Sequence, residues 1–406
     1  MNLRSAPALL VTALITLTAC GGAAHRPTAA VSSDWPSVLK AARGQTVNWY
    51  MYGGDEALNS FVSRTLATKL EPYGVSVNQV KITDTVDAIN KVLAEKQAGR
   101  NHGGSVDLIW VNGENFATGK QAGLWQCGYD LPNAKYVDST NPAVTSDFGV
   151  PVDGCESVWQ QAHSALVYDS SKLAASDVSS VTALFAWATA HPGRFTYPAP
   201  PDFTGSMAVR TFLYDTAGGP SAFPGPTVAA AYGPASARLW QRLLTLAPSL
   251  WRKGETYPVS QADVEKLYGQ GEIDAYLTYG PGAVAQQVSK GVFPSSTREA
   301  VFRSGNIAND SFVAIPANAA HQAAALVVAN QLLDPATQLA LFKANGAYPA
   351  IDLARLPAAE RQQFQAVDLG PSVLPLAELT AHVQPELAAA YVTRIEADWK
   401  THVLQR

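Results

Sequence analysis

Cysteine is scarce in this chain: only Cys20, Cys127 and Cys155 occur among 406 residues. That excludes a multi-bridge disulfide scaffold and any thiolate cluster of the zinc-finger kind. Charge is thin as well, 15% of residues with a net of −4 and no basic cluster, which argues against nucleic acid as a partner. The seven histidines are scattered, none at metal-ligand spacing from another His or Cys, so neither a metal nor a cofactor is expected. The HExxH and GxSxG patterns and a Walker-type phosphate loop are missing, which leaves the common hydrolase and nucleotide chemistries without support. Beyond the N-terminal segment no run of 18 apolar residues occurs, so nothing later is expected to span a bilayer.

What the chain does have begins at its N-terminus. Arg4, the apolar stretch 6–16 and the triplet Leu17-Thr18-Ala19 before Cys20 have the form of a bacterial lipoprotein signal. Cleavage would remove residues 1–19 and leave an acylated Cys20 that anchors the protein in the cell envelope without crossing the membrane. An ordinary secretory signal with an incidental Cys20 is the alternative. Residues 20–34, small and polar, read as a flexible tether. In an oxidising compartment Cys127 and Cys155, each beside a glycine, read as one disulfide, with two buried thiols as the alternative.

The body is 47% hydrophobic and longer than one core usually serves, so two lobes are expected. Residues 46–52 (TVNWYMY) alternate as a strand, Gly53-Gly54-Asp55 turns the chain, and a helical pattern follows. The same order recurs with a strand at 75–82, a helix at 84–98 and a strand at 106–111. Alternating strands and helices imply an α/β fold with a parallel sheet. Farther on, 159–168, 194–197, 273–279 and 312–316 read as strands, and 184–190, 206–214, 236–246, 259–269, 320–333 and 335–345 as helices. Asn306, Asn309, Asp310 and Ser311 precede the return strand at 312–316.

Open α/β sheets bind ligands at the carboxyl ends of their strands, so the residues that follow strands are the candidates. They are Tyr52, Gly53, Gly54 and Asp55 after the first strand, and Asn112, Glu114 and Asn115 after 106–111. From the later segments come Trp159, then Asp202, Phe203, Gly205 and Ser206 at a helix start, then Tyr276, Tyr279 and Asp310. Several have a plainer role open to them. Asp55 and Asp202 can be N-caps, Trp159 can cover the disulfide, Asp310 can belong to a hinge, and a regular strand points Tyr276 and Tyr279 to different faces.

Three stretches, GQTVNWYMYGGDEALNSFV, GGSVDLIWVNGENFATGKQAGLW and SFVAIPANAAHQAAALVVANQLLDPATQ, resemble the extracellular solute-binding proteins of bacterial ABC importers, and among them the YnjB-like subgroup. The resemblance implies a type II periplasmic-binding-protein fold: two α/β lobes joined by a hinge of crossing strands and closing on one small molecule. It places lobe 1 at 35–157 and 312–349, lobe 2 at 158–311, and C-terminal helices at 350–406 packed on the lobes. It also implies a non-enzymatic monomer that works with a membrane permease. Within that frame the aromatic and acidic candidates favour an organic cation such as thiamine or a polyamine. An anion held at helix N-termini, a sugar, or a carbohydrate substrate of a lipid-anchored hydrolase are the alternatives.

Overall fold

The computed structural model describes residues 34–406, so the signal, Cys20 and most of the tether lie outside the described residues. Strand β1 (Thr46–Tyr52) sends Val47, Trp49 and Met51 into a large apolar core, while Tyr50 on its other face joins a smaller one. It pairs in parallel with β2 (Ser76–Ile82) and β3 (Leu108–Val111). Helix α1 (Trp35–Ala42) and α2 (Glu56–Ser60), which continues into a π-helical turn at Phe61–Leu66, cover one face. Helix α3 (Val86–Gln97) covers the other with Ala88, Ile89 and Val92. This is the two-faced burial that parallel sheets require, and α4 (Gly113–Gln121) opens directly from the carboxyl end of β3.

Two long antiparallel strands then carry the chain between cores. Strand β4 (Glu156–His163) pairs with a strand much later in sequence, Asn306–Ala314, from Glu156 opposite Ala314 to His163 opposite Ala308. Val158 and Trp159 still belong to the first core, so that core extends past the boundary expected at 157. Ile307, at the far end of the later strand, lies in the second core. The expected strand 312–316 therefore starts six residues earlier, because 306–311 is already part of the ladder.

The second lobe is built on an antiparallel sheet of β5 (Ala165–Asp169) between β6 (Ala275–Thr278) and β7 (Thr297–Ala300). Its helices include α5 (Val181–Ala190), α6 (Phe203–Ala217), α7 (Tyr232–Leu246) and α8 (Gln261–Gly269). The central one, α6, is buried without a break from Thr204 to Tyr214. The long return strand is β8 (Asn306–Ala314), which pairs with β3 to complete the first sheet, and α9 (Gln322–Leu332) and α10 (Pro335–Asn345) return to the first core. The C-terminal segment is shared. Leu356, Phe364 and Leu379 join the first core, whereas Leu387 and the last helix α11 (Ala389–Trp399), through Tyr391, Ile395 and Trp399, join the second. A disulfide links Cys127 to Cys155 across a sequence separation of 28 residues, at the foot of β4.

Candidate functional site

On the lobe 1 side the site begins where β3 ends. Asn112 does not cap α4; its Nδ2 donates to the Asp310 carbonyl at 2.7 Å and so ties the helix to the hinge strand. The cap comes from elsewhere: Gly113, at φ +61°, donates its N–H to Asp147 Oδ2 at 2.7 Å. Next to it stands Glu114. Its Oε2 is buried without a hydrogen-bond partner. Burial first, and then the charge of Glu396, push its carboxyl up to about 7, with Asp84 adding to the rise and Arg210 opposing it.

Tyr52 closes β1, and its phenol lies over Gly54, where any Cβ would overlap it. Its hydroxyl is pushed upward by burial and then by the charges of Glu265, Asp202 and Asp55. Asp55 itself caps α2 through the Leu58 N–H at 2.9 Å and accepts from Asn345 Nδ2 at 3.3 Å.

On the lobe 2 side Asp202 caps α6, accepting from Gly205 N at 2.8 Å and from Gln261 N at 3.2 Å. Burial raises its pKa against these bonds. Gly205 is required because a Cβ there would run into the Pro198 carbonyl. Phe203 remains 39% exposed, with its ring 5.3 Å from Tyr279 and 6.1 Å from Phe148 of lobe 1. Glu265, buried and bonded to Gln261 Nε2 at 3.1 Å, is likewise pushed up to about 7 by desolvation, with Asp55 and Asp202 adding to it.

The buried cation Arg210 sits in this neighbourhood, and it is already committed. Arg210, fully buried on α6, donates to both carboxylate oxygens of Glu386, at 2.8 and 2.9 Å, and to Ser206 Oγ at 2.6 Å. Ser206 in turn donates its hydroxyl hydrogen bond to Glu396 Oε1 at 2.7 Å, and the Tyr279 hydroxyl donates to Glu386. The arrangement is thus a set of carboxylates from both lobes that act on one another through their charges: Glu396 and Asp84 on Glu114, Asp84 on Asp202 and Glu396, and Asp202 on Glu265. Such a site attracts positive charge and repels anions. Among the described residues no three His, Cys, Asp or Glu side chains are grouped to hold a metal ion.

Three expected residues fall outside this set. Trp159 is fully buried in the first core, edge-on to Trp49 and Trp110 at 5.3 and 5.0 Å, so it neither reaches the cleft nor covers the bridge. Tyr276 packs on Tyr268 and Phe293 inside lobe 2. Tyr279, just past β6, is buried instead against Phe203 with its hydroxyl on Glu386. Asp310 is buried in hinge strand β8, its carboxyl raised to about 7 by desolvation. Gly53 receives a bond from Asn59 on its carbonyl and donates to Ile82, as turn geometry requires, and Asn115 lies half-buried in the first turn of α4. Sequence reasoning missed Asp147, Phe148, Arg210, Glu265, Glu386 and Glu396. Arg210, Glu265 and Glu396 lie on helices the sequence marks, but no local pattern there says that their charges meet.

A family model described as bacterial extracellular solute-binding protein matches residues 68–365. Protein YnjB of Escherichia coli (strain K12) is 38% identical over 382 residues, covering 91% of this chain and 93% of that protein. Among solved structures, the spermidine/putrescine ABC transporter substrate-binding protein PotD from Streptococcus pneumoniae, in complex with calcium and HEPES, superposes with a TM-score of 0.62 at 13% identity, over 88% of this chain and 99% of that one. A periplasmic thiamin binding protein superposes with a TM-score of 0.60 at 17% identity, over 88% and 96%. At such identities these two structures speak for the shared fold.

Proposed function

The chain belongs to the family of bacterial extracellular solute-binding proteins, and from that premise we propose that its ligand is an organic cation, held between the lobes and handed to the permease of an ABC importer. The observation that carries this reading is Glu114: a buried carboxylate oxygen with no partner, among further carboxylates, beside an arginine whose charge is already spent on Glu386. A buried ionised group without a partner is costly, and a bound ammonium or thiazolium-type cation would supply the missing charge. Phe203 and Tyr279 add ring faces, each cation–π contact being worth about 0.5–2 kcal/mol. Two of the proteins of similar fold are a spermidine/putrescine substrate-binding protein and a thiamin binding protein, and their ligands are cations of different shape.

The mechanism follows from the two lobes. A ligand touching acids of both stabilises the closed form, and the permease then reads that form. The role is capture and delivery without catalysis, by a monomer that the N-terminal signal would leave tethered to the envelope through an acylated Cys20. Among the described residues no helix is long and apolar enough to cross a membrane.

Calorimetric titration with spermidine, putrescine and thiamine, set against sulfate, phosphate and neutral sugars, tests the reading. Heat and saturation with one or more of the cations are expected. Saturable binding confined to anions or sugars sinks it. Mass analysis of the membrane-extracted protein tests the anchor: the N-terminal peptide should begin at an acylated Cys20.

A further inference from the structure

We infer that Phe148 is the knob by which lobe 1 locks onto lobe 2, and so the residue that sets how long the closed cleft retains its ligand. This rests on the capture-by-closure reading above, and it reaches a residue outside the carboxylate set.

The backbone is the first sign. Phe148 has φ +45°, a region that bulky side chains rarely occupy, and Gly149 follows at +75°. Conformations of this kind persist where their surroundings over-determine them, and they gather at ligand clamps and switch points. The surroundings here are explicit. The ring is 4% exposed and lies 6.1 Å from Phe203, with the Arg210 guanidinium 5.6 Å from its centroid. It forms a small apolar cluster with Ala389 and Val392 of α11 and with Ala117. Its carbonyl accepts the Ala389 N–H at 3.1 Å. Ala117 and Gly113 flank the ring from lobe 1, and Phe203, Arg210 and the C-terminal helix face it from the other side. A residue of lobe 1 is therefore seated between its own helix α4 and the elements of lobe 2, and positive φ is what turns it there.

The socket is stiff and the knob is wired to the site. Arg210 is clamped by Glu386 and Ser206, so the wall that receives the ring does not give. Asp147, the preceding residue, holds the N–H of Gly113, and a Cβ on Gly113 would stand 3.2 Å from the Phe148 ring. Gly113 is followed by Glu114. Withdrawing the ring as the lobes part pulls on the same turn that presents the unpartnered carboxylate, so the knob positions the binding group and holds the closed state at once. Phe148 is a positioning residue on this account and makes no demand on ligand identity.

The test uses the purified full chain and two variants. Phe148→Gly keeps the backbone free to adopt positive φ and removes the ring; Phe148→Leu keeps apolar bulk. Small-angle X-ray scattering of the unliganded proteins reads lobe separation, and stopped-flow fluorescence with spermidine and with thiamine reads association and dissociation. Phe148→Gly is expected to enlarge the radius of gyration and to speed dissociation at least tenfold with association nearly unchanged, and Phe148→Leu to fall between it and the parent. Scattering and dissociation indistinguishable from the parent in the folded variants would overturn the inference, and Phe148→Leu alone decides it if the glycine variant does not fold. Should neither cation bind any of the three proteins, the cation reading fails while the scattering still decides the knob.

Discussion

Two buried charge clusters lie side by side in the cleft and are finished differently. Around Arg210 the donors and acceptors find partners: Glu386 takes two bonds, Ser206 bridges to Glu396, and Tyr279 adds a third donor to Glu386. At Glu114 one carboxylate oxygen is left with none. A closed network of that kind holds structure, and a buried group left open is one that a ligand can complete, which is the reading proposed for Glu114. The charge of Arg210 is accordingly already paired with Glu386.

The largest effect should come from the closed cluster. Arg210→Met leaves Glu386 buried without its counter-charge, and the loss should be about 3–5 kcal/mol of stability, read as a lower denaturation midpoint. Little change there would mean that the two clusters do not differ as described.

Glu114→Gln should do the opposite. It removes a charge that folding disfavours, so the unfolding midpoint should hold or rise, while cation affinity by calorimetry falls at least tenfold, or about 1.4 kcal/mol. Lower stability with unchanged affinity would make Glu114 a structural residue.

The third comparison is with pH. Glu114 and Glu265 are raised to about 7 in the folded chain from an ordinary 4.5, so between those values the unfolded state binds fewer protons. Stability of the free protein should therefore fall as pH rises from about 5 to about 7. A cation favours the ionised carboxylates, so its affinity should rise over the same window, with proton release on binding. Calorimetry in buffers of different ionisation heat would show both. The smallest effect is expected at Tyr276→Phe, which touches the lobe 2 core and should leave cation affinity within about twofold, well under 1.4 kcal/mol.

How much could be read beforehand varies along the chain. Tyr52, Gly54 and Asp55 were legible because strand, turn and cap follow from alternation and short-range hydrogen bonding, and Asp55 does cap α2. Asp202 was legible for the same reason. Strand β7 was not, since Thr297-Arg298-Glu299-Ala300 looks like exposed polar chain and is buried only by what covers it. Nor was the start of β8, where Asn306, Asn309 and Asp310 stand ahead of the expected strand. The ladder with β4 and β9 (Val383–Pro385) pairs their backbone, while the side-chain amides of Asn306 and Asn309 are buried without a partner among the described residues.

The sequence by itself determined the local elements, the cysteine pair, the alternation of strand and helix, and the similarity that marks the family. Those depend on neighbours a few residues apart and on which face of an element is apolar. Only the tertiary structure decided which acids meet. Glu114 and Glu396 come from opposite ends of the chain, and Arg210 is hidden in a helix that otherwise reads as ordinary. Whether a charge is paired, desolvated or left open is a property of the surroundings that folding assembles, and the function of this cleft rests on that property.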